Sequence, residues 1–355
     1  MTPRRISVAE AAQASPTPAR SGRAGTRAPA VPVRVVLVTM DSHLASAAER
    51  AGRALSRTLP GLVFTVHAAA NWGESDEALQ RCIDDIAQGD IVIASMLFME
   101  DHFLPVLPAL QARREHCDAM VCAMSAAEVT RLTRMGKFDM SAPASGAMAF
   151  LKRLRGKPPS AADTAGGKTT AGAQQMKTLR MLPKILRFIP GTAQDVRAYF
   201  LTLQYWLAGS EENVANLVHF LVDRYADGPR KALRGVAKVH EPVEYPEVGV
   251  YHPRMPQRLA ATVDALPSVA TTGQRGTVGL LLMRSYLLAG NTAHYDGVIT
   301  AMEARGLRVI PAFATGLDVR PAIERFFLAN GRPVIDGMVS LTGFSLVGGP
   351  AYNDA

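Results

Sequence analysis

The run Arg34-Val-Val-Leu-Val-Thr-Met40 decides the fold of the first half of this chain. It is continuously apolar after its arginine, as strands buried on both faces of a parallel sheet are, and it does not alternate as a half-exposed strand would. Downstream, Leu44, Ala47, Ala48, Ala51 and Leu55 recur at helical spacing until Pro60-Gly61 stops them. The unit then repeats. Leu62 to Val66 reads as a strand, and a helix capped near Ser75 carries Leu79, Cys82, Ile83 and Ile86 on one face up to Gly89. Asp90 to Ser95 is the third strand, followed by a helix through about Arg114. Ala119 to Met124 is the fourth, and Ser125-x-x-Glu128 has the pattern of a capping box opening a further helix. Four such repeats predict an α/β fold built on an open, doubly wound parallel sheet over residues 33–155.

Around this core the composition changes twice. Residues 1–32 are rich in Ala, Pro, Ser and Arg and have one acid, Glu10, so they read as a disordered basic arm. Residues 156–180 include PPSAADTAGGKTTAGAQQ, a low-complexity flexible linker. A helical connector is expected over 181–260. Its first helix opens at Gly191-Thr192 with Val196, Tyr199, Phe200, Leu203 and Leu207 on one face, and its second is capped at Ser210 and carries Val214, Leu217, Val218, Leu221 and Tyr225. The extended passage HEPVEYPEVGVYHPRMP then leads into a second α/β region over 261–355. Its strands are Thr277 to Met283, Leu307 to Ile310 and Val334 to Leu341, separated by helices opened at Asn291 and Asp318. No helix follows the third strand, so this second domain reads as incomplete and the chain as part of a longer one.

Of 355 residues, 48% are hydrophobic and 20% charged, and no apolar run reaches the ~20 residues of a spanning helix. Three cysteines do not make a disulfide framework, and a cytoplasmic chain is expected. The formal charge of +8 favours anionic partners. Nucleic acid is not among those expected, because the basic residues do not cluster with aromatics. Lys177 to Arg187, KTLRMLPKILR, leaves a peripheral membrane contact open beside the plainer reading of a packed helix with solvated charges.

Short motifs give little chemistry. Gly166-Gly167-Lys168-Thr169 imitates the end of a phosphate loop, but Ala162 stands where the first glycine is required and no strand precedes it, so no nucleotide site is assigned. Cys117 and Cys122, with His116 nearby, read as core residues and not as metal ligands, for want of a second ligand pair. Sites in open α/β sheets gather at the carboxyl ends of strands. Those ends carry Asp41 and His43 in the first region, with Asn71, Ser95 and Ser125 read mainly as caps. In the second region they carry Arg284, Ser285, Thr315, Thr342 and Phe344. A cation, hydroxyls and an aromatic ring suit a planar acidic ligand. His43, His240, His252 and His294 are the imidazoles with a pKa range suited to proton transfer, and His294 joins the substrate-binding candidates. No catalytic residue is identified.

Longer stretches are more specific. VRVVLVTMDSHL at 33–44, VGLLLMRSYLLAGNTAHYDGVITAMEARGLRVIPAFATGLDVRPAIERFF at 278–327 and VSLTGFSLVGGPAYNDA at 339–355 resemble the amino-terminal part of the large H subunit of magnesium chelatases. YPEVGVYHP and the passage around LQYWLAGSEENVANL are similar to it as well. The resemblance implies a porphyrin-binding subunit of a complex that inserts Mg2+ into protoporphyrin IX in (bacterio)chlorophyll biosynthesis. It also implies ATP hydrolysis by separate AAA+-type I and D subunits, and no cofactor bound by this chain. The chelation centre of the family lies downstream of the matched region, so no catalytic residue is carried over, and the chain alone is expected to be inactive. The large subunit of cobaltochelatase, a non-catalytic porphyrin-binding scaffold, and a plastid location are the alternatives.

Overall fold

The computed structural model describes residues 31–40, 42–142, 181–268 and 274–348. Residues 1–30 of the basic arm, Asp41, residues 143–180 with the linker and its Gly-Gly-Lys-Thr, residues 269–273 and the last seven residues lie outside them. The described residues form two compact units, one comprising 31–142, 181–207 and 211–242, the other 208–210 and 243–348. The expected connector at 181–260 is therefore not separate. Its helices belong to the first unit, and 243–260 belong to the second.

In the first unit β1 (Val33–Thr39), β2 (Leu62–Ala68), β3 (Ile91–Ser95) and β4 (Ala119–Ala123) are parallel in the order β2-β1-β3-β4. The helices between them are α1 (Ala45–Thr58), α2 (Asp76–Gln88), α3 (Glu100–Phe103) and α4 (Leu107–Arg113). Val36, Val38, Val92, Ala94, Met120 and Cys122 meet Cys82, Ile86 and Leu110 in one core. The alternate residues Val35, Leu37, Ile93 and Val121 are as deeply buried on the opposite face. This double burial is the reason the strands lack alternation. Ser75 caps α2 as its position predicts, its hydroxyl accepting from Ala78 N at 3.3 Å.

Beyond β4 the expectation of another long helix fails. The helix α5 spans only Ala127–Thr130, and the chain closes the sheet with the antiparallel hairpin β5 (Arg134–Met135) and β6 (Phe138–Asp139). The capping box does not form, because the Ser125 hydroxyl accepts from Leu97 N at 3.1 Å and donates to Ala123 O at 3.0 Å. Ser95 caps nothing either; its Oγ is buried without a hydrogen-bond partner among the described residues, and Asn71 lies inside the 3-10 segment Ala69–Glu74.

The helical pair is α6 (Thr192–Leu207) and α7 (Glu211–Tyr225). Val214, Leu217, Val218, Phe220, Leu221 and Val222 are all buried on α7, which leaves no solvent face wide enough for a free connector. It packs along α1, with Thr58 Oγ1 2.7 Å from His219 Nε2, while α6 sets Tyr199 against Phe138 of β6 at a ring separation of 5.8 Å.

The second unit has the strand order β13-β9-β10-β7-β8. Its elements are β7 (Val248–Tyr251), β8 (Leu259–Ala260), β9 (Gly276–Met283), α8 (Arg284–Leu288), α9 (Ala293–Glu303), β10 (Leu307–Ala314), α10 (Arg320–Phe326), the hairpin β11 (Leu328–Ala329) and β12 (Arg332–Pro333), and β13 (Gly337–Ser340). The strands β13, β9 and β10 are parallel, and β7 and β8 extend the sheet antiparallel. Helix α9 covers one face through Tyr295 and Ile299, and α10 the other through Ala322 and Phe326. Two expectations are corrected here. Asn291 does not cap α9, which begins after Thr292 without a side-chain cap. The third strand is 337–340 and not 334–341, because Asn330 and Gly331, both at positive φ, turn a tight hairpin that takes Val334 N to Phe327 O. All four residues of β13 are exposed at the sheet edge.

Candidate functional site

The candidate positions divide between the units. In the first, His43 follows β1 and is buried, and Asp41 lies outside the described residues. In the second, the register brings the others to one edge. Met283 pairs with Ala314 and Leu281 with Ser340, so α8, Thr315 and the loop after β13 all leave the carboxyl ends of parallel strands. The antiparallel β7 enters at the same edge, since Val248 pairs with Ala314.

Arg284 begins α8 and is only 9% exposed. Its Nε donates to Pro246 O at 2.8 Å and its Nη2 to Tyr245 O at 3.2 Å. The guanidinium thus braces the chain entering β7, and Thr315 does the same through Oγ1 to Glu247 O at 3.0 Å. Ser285, next along α8, is partly exposed. Thr342 is buried; its hydroxyl lies 3.0 Å from Ser340 Oγ and accepts from Phe344 N at 3.3 Å, so it shapes the loop that carries the 37% exposed ring of Phe344. Gly343 in that loop has φ +75°, where a side chain would be strained. His294 is exposed on the first turn of α9 beside Tyr286, ring centroids 5.6 Å apart at a T-shaped 78°, and the neighbouring Tyr295 hydroxyl accepts from Met283 N at the end of β9. Ser285, His294, Thr342 and Phe344 therefore share one edge with Arg284, but Arg284 is committed to carbonyl oxygens.

The passage after β7 holds a charged cluster that sequence reasoning took for an extended connection. His252 Nε2 lies 3.1 Å from Glu303 Oε1, and its Nδ1 accepts from Arg254 N at 3.2 Å, which fixes the proton on Nε2. Arg254 Nη2 reaches both Glu303 oxygens at 2.9 and 3.0 Å. Two helix turns earlier, more than one group shares Asp296: the Tyr251 hydroxyl, Thr292 Oγ1 at 3.2 Å and Arg258 Nη2 at 3.5 Å. Burial pushes the Tyr251 phenol up to about 12, assisted by the Asp296 charge. These contacts bind β7 to α9 and fix His252 as a structural group. The signal that could have found them is the spacing of Asp296 and Glu303, two turns apart on one helix.

Among the described residues no three His, Cys, Asp or Glu side chains are placed to hold a metal ion, and no helix is long and apolar enough to cross a membrane. Cys122 lies in the core of β4, and Cys117 Sγ sits 3.4 Å from Arg114 O.

With a three-layer α/β unit whose strand ends gather hydroxyls and an aromatic ring, residues 203–355 match the family CobN/Magnesium Chelatase, and residues 34–200 match a domain of unknown function, DUF3479. Residues 203–355, which take in the end of α6 and α7 as well as the second unit, are thus similar to the chelatase class. Over nearly its whole length the chain is related to one member of that class, the large H subunit of magnesium chelatase. It is 49% identical to the magnesium-chelatase H subunit of Cereibacter sphaeroides over 94% of this chain and 27% of that protein. It is 32% identical to the chloroplastic ChlH subunit of magnesium chelatase from Oryza sativa subsp. indica over 91% of this chain and 23% of that protein. The chain spans about a quarter of the length of these relatives. A solved structure, the catalytic subunit of cobaltochelatase from Mycobacterium tuberculosis, aligns with 87% of this chain and 18% of its own at 17% identity and a TM-score of 0.39.

Proposed function

We propose that this chain is the amino-terminal portion of a magnesium chelatase H subunit, which binds protoporphyrin IX while Mg2+ is inserted during (bacterio)chlorophyll biosynthesis. The observation that carries this reading is the 49% identity sustained over 94% of the chain, across both units and not one domain alone. The relatives named for magnesium in both bacteria and a plant favour magnesium over cobalt. ATP is hydrolysed by the I and D partner subunits, and the chain works in the cytoplasm. Magnesium and porphyrin are substrates, and removing the two pyrrole protons is work for a general base carried elsewhere in the subunit.

In this reading the edge formed by Ser285, His294, Thr342 and Phe344 meets the porphyrin, with Phe344 stacking on the macrocycle and Arg284 holding the edge in shape. The test is loss of the gene in its host. Protoporphyrin IX should accumulate and Mg-protoporphyrin disappear, and restoring the gene should reverse both. Unchanged Mg-protoporphyrin in the deletion strain would overturn the assignment.

A further inference from the structure

The first unit contains a cleft of about 530 Å³ bounded by the β5–β6 hairpin, the start of α6 and the chain that follows α7. Its lining carries three carboxylates, and each is already neutralised. Asp118 holds Arg230 in two hydrogen bonds of 2.8 Å. Asp195 holds Arg224 at 3.2 Å and also accepts from the Tyr225 hydroxyl at 3.1 Å and Lys137 N at 3.0 Å. Asp227 holds Lys231 at 2.8 Å.

Three further cations line the same cleft and make no hydrogen bond to a carboxylate among the described residues, although Arg134 keeps a longer ion pair with Glu115 and Arg234 acts on Asp227 across the cleft. Arg134 donates to the carbonyls of Arg114 and Cys117, its nearest carboxylate being Glu115 at 3.9 Å. Arg234 donates to Ala226 O at 2.8 Å. The Lys137 ammonium has no partner among the described residues. Carbonyl oxygens fix the direction of a guanidinium but do not cancel its charge, so the wall keeps a positive potential. The hairpin tip that carries Lys137 is itself held: Gly136 has φ +58°, and a Cβ there would lie 2.8 Å from Asp195 Oδ2.

We propose that this cleft binds a small polyanion, a molecule bearing two or more phosphate or carboxylate groups. Arg134 and Lys137 from the β5–β6 hairpin and Arg234 from the chain that follows α7 converge on one cleft, and the volume is that of a small-molecule site. The proposal concerns the first unit alone and does not depend on the chelatase reading.

The test is isothermal titration of the purified 355-residue chain with pyrophosphate and, separately, with citrate, at constant ionic strength. Lys137→Gln and Arg234→Gln are measured in parallel, with melting temperatures to confirm folding. Lys137 is exposed, so its replacement leaves the core intact. Binding of either anion that weakens about tenfold in Lys137→Gln, a single lost charge contact of ~1.4 kcal/mol, is the expected result. Preference for pyrophosphate assigns a phosphorylated ligand and preference for citrate a polycarboxylate. Heats no larger than those of chloride, or equal affinity in both folded variants, would overturn the proposal.

Discussion

The guanidinium of Arg230 meets the carboxylate of Asp118 in a two-pronged contact, Nε to Oδ2 and Nη2 to Oδ1, each 2.8 Å long. Asp227 N donates to the same Oδ2 at 2.9 Å, so one carboxylate just before β4 anchors the chain that leaves α7. Asp118 is 7% exposed at its side chain, and removing it strands the Asp227 amide and leaves Arg230 only its longer ion pair to Asp90 at 3.3 Å. Asp118→Ala should lower stability by about 2 kcal/mol. Arg230→Lys should recover only part of the contact, because an ammonium cannot make both bonds in one plane. Urea denaturation of the three proteins checks this; an unchanged midpoint for Asp118→Ala would refute it.

Arg284 is expected to act on stability first. Losing its bonds to Tyr245 O and Pro246 O in Arg284→Ala should cost about 2 kcal/mol, since a charged donor is removed from two carbonyls at a buried position. Chemical denaturation should show the loss, with Arg284→Lys intermediate.

Asp139 gives the acid limb of stability. Burial alone would raise its carboxyl, but hydrogen bonds from Arg114 and Ser141 outweigh burial and hold it at about 2. A folded value below the unfolded one means the stabilisation is complete above about pH 4 and is lost as pH falls toward 2. Melting temperatures between pH 5 and 2 should therefore fall less steeply in Asp139→Asn than in the wild type.

The thiols should be silent in the native chain. Burial pushes Cys82 and Cys122 far above the usual thiol range, with Asp85 adding to the effect at Cys82, and burial raises Cys117 against the opposing charges of Arg134 and Arg113. A disulfide-exchange reagent at pH 8 should label none of the three within minutes and all three in urea. Rapid native labelling would show that the strands of the first sheet open readily.

Two glycines separate close approach from open space. A Cβ at Gly249 would lie 2.5 Å from Ala260 O and 2.7 Å from Phe313 Cζ, so Gly249→Ala must push β8 or the ring aside and should cost about 1–3 kcal/mol. Gly297 is inside α9 with nothing within 4 Å, and Gly297→Ala should stabilise by about 0.5–1 kcal/mol. Paired thermal melts would expose any reversal of sign.

The family reading was legible in long matched stretches, and the candidate edge in the rule that sites follow strand ends. The edge's internal wiring was not. Nothing near Arg284 in sequence announces that its partners are carbonyls 38 and 39 residues upstream. Nor does Ser125 reveal that an amide 28 residues away, Leu97 N, would take its hydroxyl from the helix it seemed made to cap.

By itself the sequence determined the four parallel strands of the first sheet, the long helices, and which of their faces must be buried. Apolar periodicity is local, and a run such as 34–40 has no other low-energy use. Only the tertiary structure decided the order β2-β1-β3-β4, the docking of α7 on α1, and the addition of β7 and β8 to the second sheet. Those choices depend on which surfaces and charges fit one another across many tens of residues, and a chain read one turn at a time does not display that complementarity.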